Sequence, residues 1–353
     1  MRSPRVAIDL RLAGYRTGGI ARYANDLYAA LRTLPDLSVK AIRSRTDTTT
    51  DDHAVRLRTP PHHRLERYSI AVEAVLSRKR FDVYHVTDFI APRIPRTAIV
   101  ATVHDLAFLQ RPEDLEQSSL NYYKQISAAR RWTDAWITPS QWTANDLSEH
   151  FDIDPSAITV IQHGIPLDLQ RQPIVPRPDR GDYILAVGTI EPRKRYDLLL
   201  DALTLMSERP RLEVAGRPGW NSEATERRLD NTEDVAWRRD ADDVSLRDLY
   251  RNAYAVVIPS HTEGFGLAAL EAMACGTPVI SSDQGALPEV TGLAALVPDG
   301  DDPHSWAGAI ERIQNDEQLW NELSVFGRRR AQEFSWSRAA RETADIYHRL
   351  AGH

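Results

Sequence analysis

Short apolar runs rich in Val and Ile recur along this chain, separated by longer stretches in which apolar and polar residues alternate with a helical period. In the first half such runs fall at residues 6–10, 83–86, 99–103, 135–138 and 159–161, and each reads as a buried strand. The second half repeats the pattern at 183–187, 212–215, 235–237, 255–258, 279–281 and 294–297. Residues 20–31, 67–77, 120–131, 196–206 and 305–315 carry the spacing of amphipathic helices. Near-continuous apolar strands alternating with helices predict parallel sheets covered on both faces, an α/β architecture. The pattern runs twice. Its break lies at 166–181, where four prolines and no hydrophobic period predict a linker. The expected fold is therefore two Rossmann-like doubly wound domains, 1–166 and 167–334, facing each other across a cleft. Ligands of such sheets sit at the C-terminal strand ends, so the strand-to-helix loops should carry the chemistry. The tail, 334–350, reads as one helix with Ser335 or Ser337 as its cap.

A length of 353 residues suits two such domains, and 42% hydrophobic with 27% charged residues describes an ordinary globular chain. No apolar run approaches the ~18 residues that span a bilayer, and the run after the N-terminal Met-Arg-Ser-Pro-Arg is too short for a signal peptide. With Cys275 as the one cysteine no intrachain disulfide can form, and a cytoplasmic location is expected. The net charge of −6 is unevenly spread: residues 1–100 carry 18 Lys and Arg against 10 Asp and Glu, leaving −14 on the remainder. That is either ordinary solvated surface or a sign that the N-terminal half meets something anionic, such as the inner face of a membrane or a phosphate-bearing acceptor. Nucleic acid is not an expected partner.

Four stretches can carry chemistry. The richest, 259–278, follows a strand and opens a helix. Gly264 and Gly266 permit a tight turn there, and the free N–H groups of the helix start make an anion site. Glu263 in the loop and Glu271 two turns into the helix would stand about 10 Å apart on one side of it. That spacing suits two ends of a polyhydroxy ligand, since an ionised carboxylate accepts well from a vicinal diol. The apolar neighbours Leu267, Leu270, Met273 and Ala274 place Glu271 in a buried helix, where a carboxylate needs partners. In the second stretch a strand ends in Gly188 and the loop delivers Arg193, Lys194 and Arg195. Fixed cations stabilise a departing diphosphate more in the transition state than in the ground state. The third is Thr102-Val103-His104-Asp105-Leu106, which sets an imidazole at a strand end. The fourth, with Gly18 and Gly19 ahead of a helix, is an anion cradle or a plain turn. The pattern G-x-G-x-x-G is absent, which argues against a nicotinamide cofactor. Asp240-Ala-Asp242 and Asp299-Gly-Asp301 match a bare D-x-D, but such pairs arise by chance in an acid-rich chain and no metal site is expected.

The run from Glu263 to Glu271, E-G-F-G-L-x-x-x-E followed by A-x-A-x-G-x-P-V-I, resembles the E-x7-E signature of the retaining family-4 glycosyltransferases of GT-B fold. Blocks resembling theirs occur in order along nearly the whole chain: 18–23, 102–106, 139–143, 162–165, 187–194, 285–289 and 334–336. The resemblance implies roles position by position. Glu263 would contact the transferred sugar and Glu271 the ribose hydroxyls. Gly264, Phe265, Gly266 and Leu267 would offer backbone N–H groups to sugar and diphosphate. Lys194 would bind the diphosphate, His104 would lie near the anomeric carbon, Gly18 and Gly19 would approach the phosphates, and Trp237 and Arg238 would border the base. Many members carry arginine where this chain has Thr189, and Arg193 is expected to supply that charge, as in the E-P-R-K subgroup. The family further implies retention at the anomeric carbon, no metal, no bound cofactor beyond the sugar-nucleotide donor, and a C-terminal helix, 335–353, that returns to the first domain.

The E-P-R-K and His-Asp-Leu-Ala-Phe segments are most similar to those of mannosyltransferases that use GDP-mannose, with UDP- and ADP-sugars left open. The expected reaction is transfer of a hexose to an acceptor hydroxyl of a glycan, a glycolipid or other lipid-linked acceptor, or a small molecule. A nucleotide-sugar epimerase and a non-catalytic sugar-nucleotide-binding protein are the alternatives on the same architecture.

Overall fold

The strand-like runs form two separate parallel sheets in the computed structural model, which describes residues 3–14, 18–49, 51, 54–60, 65–76, 80–110 and 125–352. The chain divides into two compact units, Met1–Gly164 with Ser335–His353, and Ile165–Phe334.

The first unit contains strands β1 (Arg5–Asp9), β2 (Ser38–Ser44), β3 (Val55–Leu57), β4 (Val83–Val86), β5 (Ala98–Thr102), β6 (Ala135–Thr138) and β7 (Ile158–Val160), in the order β3-β2-β1-β4-β5-β6-β7. The second contains β8 (Tyr183–Val187), β9 (Arg211–Ala215), β10 (Val235–Arg238), β11 (Ala255–Ile258), β12 (Val279–Ser281) and β13 (Ala295–Leu296), ordered β10-β9-β8-β11-β12-β13. Neighbouring strands in both sheets run parallel, as β8 does with β9 and with β11. In each sheet the order reverses beside the first strand, between β1 and β4 and between β8 and β11. The crevice at the C-terminal strand ends beside such a reversal is the usual ligand position of doubly wound sheets.

Alternate residues of each strand enter different cores, which explains the continuous apolar runs. In the second unit Ile184, Ala186 and Val257 join Leu199, Leu203, Trp306 and Ile310. Leu185, Val256 and Ile258 join Leu270, Met273 and Phe334 on the other face. In the first unit Val6, Ile8 and Val100 pack with Leu27, Leu31 and Tyr347, while Ala7, Val86 and Ala101 pack with Ile70, Ile126 and Leu147.

Two strands, β2 and β3, are additional to those read from the pattern. β2 carries Lys40 and Arg43, and its first three positions are incompletely buried. Arg43 is nonetheless buried, because its Nη1 meets Asp47 Oδ2 at 2.9 Å. β3 lies at the sheet edge with Arg56 exposed between buried Val55 and Leu57. The 166–181 segment is more ordered than a linker: it contains a helical turn, Leu167–Arg171, and a 3-10 turn, Arg177–Asp179. Arg180 fastens it to the second unit, with Nη1 donating to Ala253 O (2.9 Å) and Thr277 Oγ1 (2.7 Å) and the guanidinium over Trp320. The tail forms the helix Trp336–Ala351, capped by Ser335, whose side chain accepts from Arg338 N. Of the expected helix 120–131, the first five residues lie outside the described ones, and Gln125–Ala129 is helical. Tyr15, Arg16 and Thr17 of the glycine stretch also lie outside them.

Candidate active site

In the second unit the loops leaving β8 and β11 meet. After β8 the chain turns through Gly188 into a 3-10 turn, Pro192–Lys194. A Cβ on Gly188 would come 3.1 Å from Lys194 Cε, so the missing side chain lets the lysine lie back over its own strand end. Lys194 Nζ donates to Glu263 Oε1 at 2.6 Å, and Ser260 Oγ donates to the same oxygen at 2.7 Å. Arg193 Nη1 lies 3.3 Å from Glu263 Oε2 and donates to Thr262 O at 3.0 Å, while its Nε meets Glu191 Oε1 at 2.6 Å. The backbone locks this arrangement, with His261 N donating to Arg193 O and Ala286 N to Glu263 O. Gly285 follows at φ +64, and a Cβ there would fall 2.6 Å from Glu263 N and 2.7 Å from Glu263 O. The Gly-Ala pair is thus the wall against which the Glu263 loop is moulded.

Burial alone would raise the pKa of Glu263, but the charges of Lys194 and Arg193 and the hydrogen bonds from Lys194 and Ser260 overcome it and hold the carboxyl at about 2. Charge is thereby concentrated at the crevice in paired form: two cations, and two carboxylates in Glu191 and Glu263.

Gly264, Phe265 and Gly266 continue the loop, all buried, and Gly266 precedes the helix Leu267–Ala274 without any side-chain cap. Its first-turn N–H groups are therefore left to backbone or ligand acceptors. Phe265 packs edge-on against Phe334, and Leu267 is half-buried. Glu271 is 4% exposed within this helix, and its charge adds to the burial that pushes the Cys275 thiol up to about 12.

At the far edge of the sheet, Trp237 donates Nε1–H to Gly216 O at 2.7 Å and carries the Arg239 guanidinium 3.7 Å over its ring. Arg238 faces elsewhere, its Nε donating to buried Glu213 at 2.8 Å. Thr189 is exposed beside Gly188. Three of the D-x-D aspartates have structural side-chain partners: Asp240 pairs with Arg217, Asp242 caps the helix Asp243–Asn252 and Asp301 pairs with Arg195, while Asp299 donates its backbone N–H to Ser305 Oγ.

In the first unit Gly18 precedes the helix Gly19–Leu31 in an exposed turn. His104 follows β5, with Nε2 2.9 Å from Thr87 O. Two rings that the motif reading did not single out flank it, Tyr23 at 4.6 Å between ring centroids and His163 at 5.6 Å, and Trp336 stacks on His163 at 5.9 Å. Tyr23 and His163 stood in quoted blocks, but only the folded chain shows that they converge. Burial lowers the pKa of both His104 and His163. Ser260 and Glu191, close to named residues, were likewise missed as partners of Glu263 and Arg193.

Among the described residues no helix is long and apolar enough to cross a membrane, and no cluster of three or more His, Cys, Asp or Glu is arranged to hold a metal.

Two family models cover the chain: residues 17–169 match one described as Glycosyltransferase Family 4, and 170–330 match Glycosyl transferases group 1. A D-inositol 3-phosphate glycosyltransferase of Streptomyces bingchenggensis is 32% identical over 238 residues, 61% of this chain. The match spans only 52% of that relative's own length. An O-antigen chain mannosyltransferase B of Escherichia coli is 30% identical over 283 residues, covering 75% of this chain and 74% of the relative. The crystal structure of Anabaena HepE in complex with UDP and glucose shares the fold, with a TM-score of 0.77, 17% identity, and coverage of 97% of this chain and 99% of that one.

Proposed function

We propose, because the chain belongs to the family-4 glycosyltransferases of GT-B fold, that it moves a hexose from a nucleoside-diphosphate sugar to an acceptor hydroxyl. The observation that carries this is the Lys194–Glu263–Arg193 cluster at the point where the second sheet reverses its strand order. Cations paired to a carboxylate at the crevice are already desolvated and aimed, which is what stabilising a departing diphosphate requires. On this reading the donor's phosphate oxygens take over Lys194 and Arg193 together with the backbone N–H groups of Gly264 to Leu267. Glu263, released from part of its pairing, accepts from hydroxyls of the hexose, and buried Glu271 accepts from the ribose diol. Trp237 and the residues around it border the base. The family resemblance assigns His104 to the hexose and the Gly18–Gly19 turn to the phosphates.

Charge builds on the leaving phosphate as its bond to the anomeric carbon breaks, and Lys194 and Arg193 favour that state over the bound donor. Retention, with the phosphate oxygen helping to take the acceptor proton, and independence from added metal complete the reading.

Mannose from GDP-mannose is the favoured donor. Its support is the similarity of the E-P-R-K and His-Asp-Leu-Ala-Phe segments to mannosyltransferases and the name of the Escherichia coli relative. The name of the Streptomyces relative supports a phosphate-bearing acceptor for the basic first unit. The same positive balance, with Leu65, Tyr68 and Val72 exposed along one face of the helix Glu66–Leu76 and its entry, supports peripheral contact with an anionic inner membrane face.

Thermal unfolding with GDP, UDP, ADP and dTDP, each alone and as its sugar, tests the donor, since a ligand of the native state raises the midpoint by mass action. The matched nucleotide should raise it by several degrees; no response to any of the four overturns the reading. Anomeric NMR of the product reads retention, and incubation with donor alone separates a transferase, which hydrolyses slowly, from an epimerase, which converts it.

A further inference from the structure

We propose that Tyr23 is a positioning residue that holds His104 as a fixed hydrogen-bond acceptor, and that a buried line of hydrogen bonds anchors Tyr23 to the C-terminal helix. The inference rests on the reading above in one respect, that His104 faces the sugar.

The tautomer follows from geometry. Thr87 O, 2.9 Å from His104 Nε2, can only accept, so Nε2 carries the proton and a neutral ring leaves its lone pair on Nδ1. Such a ring offers a sugar hydroxyl an acceptor. Flipping it would exchange Nε2 for Cε1 and lose the bond to Thr87 O, and something must prevent this. The edge-on ring of Tyr23, 4.6 Å away at 78°, packs against the imidazole and restricts its turning. Tyr23 also lies tilted over His163 at 4.8 Å and near Trp336 at 5.9 Å, so it cannot withdraw without disturbing both.

Its hydroxyl is anchored in turn. Tyr23 Oη lies 2.9 Å from Thr102 Oγ1, the last residue of β5. Thr102 Oγ1 lies 2.8 Å from His85 Nε2 on β4, and His85 Nδ1 lies 2.6 Å from Tyr347 Oη. Tyr23, Thr102, His85 and Tyr347 are all buried, and Tyr347 belongs to the helix Trp336–Ala351. A simple core contact needs no such chain of polar atoms, and burying one is costly unless each atom is paired.

The titratable groups around His104 are Tyr23, His85, His163 and the neighbouring Asp105, with Asp88 next to Thr87. Burial, and then nearness to His104, hold His85 and His163 neutral, so the ring environment stays uncharged on that side.

Nitrogen-15 spectra of the histidines in the full chain, assigned with His104→Gln, test the proposal. In the native protein His104 should show the Nε2–H tautomer and titrate below the ordinary value of about 6.5. In Tyr23→Leu water enters, the tautomers average and the titration rises toward the ordinary value, while kcat falls about tenfold as the imidazole loses its orientation. Unchanged His104 signals and titration in a folded Tyr23→Leu protein overturn the proposal, because a purely structural tyrosine would alter stability alone. A native Nδ1–H tautomer overturns it without any variant, so a failure of Tyr23→Leu to fold does not protect it. If the signals shift as expected but His104→Ala keeps full transfer activity, positioning stands and the sugar-facing role of His104 falls.

Discussion

The ammonium group of Lys194 lies 2.6 Å from a carboxylate oxygen of Glu263, 69 positions further along the chain. Both cations that meet Glu263 come from the loop of another strand, while Ser260 answers it from its own. β8 and β11 are adjacent although β9 and β10 intervene in sequence, and that adjacency brings the two loops together. Four expectations follow from this placement and its surroundings.

Removing either partner should cripple transfer. Lys194→Ala and Glu263→Ala should each lower turnover by roughly a hundredfold or more, the scale of losing an electrostatic stabiliser. Because the two side chains act on each other, the double variant should fall by much less than the product of the singles. Steady-state kinetics beside circular dichroism checks both statements; two active single variants would sink the site.

Stability should depend on acid in a way Glu263 sets. Its carboxyl is held at about 2 when folded, against about 4.3 in an unfolded chain. A lowered folded value means the stabilisation is present above the unfolded value and is lost as pH falls through the folded one. The stability gap between native protein and Glu263→Gln should therefore be full at pH 6 and shrink between about pH 4.5 and pH 2. Urea unfolding across that range measures it, and a constant gap would show that the ion pairs contribute nothing.

Gly285→Ala should displace the Glu263 loop. The left-handed backbone at φ +64 disfavours alanine, and its Cβ would collide with Glu263 N and O. We expect a loss of about 1–3 kcal/mol of stability and at least a tenfold fall in kcat. Alanine at Gly308, where an added Cβ meets nothing within 4 Å, is the control.

Arg238→Ala should behave as a stability variant. Its guanidinium serves Glu213, whose side chain is 2% exposed, and Arg211 also lies 3.5 Å from that carboxylate. About 1 kcal/mol is expected, since Arg238 itself is half exposed and screened, with donor KM within twofold. Trp237→Ala should instead raise donor KM. Isothermal binding of the matched nucleotide separates the two outcomes.

Much of this was legible in the sequence. The fully buried strands announced themselves because both faces of each need apolar side chains, and a run such as Tyr183–Val187 has no other reading. The Ser335 cap and the loop position of Glu263 came from local chemistry as well. β2 and β3 escaped because a strand near the edge mixes charge into its pattern, and Arg43 became tolerable in the interior only once Asp47 was beside it. Arg238 shows the opposite limit: it and Arg239 are neighbours in a run, yet Arg238, the last residue of β10, meets Glu213, while Arg239, just beyond the strand, covers Trp237.

By itself, then, the sequence determined the α/β class, the doubling of the sheet and the candidate motifs, because periodicity, glycines and caps are properties of a few consecutive residues. The tertiary structure decided which candidates meet: Lys194 with Glu263, and His104 with Tyr23 and, through Thr102 and His85, with Tyr347. Those partnerships depend on the order in which strands lie side by side, and hydrogen bonds and ion pairs act over a few ångströms of space however far apart the residues stand along the chain.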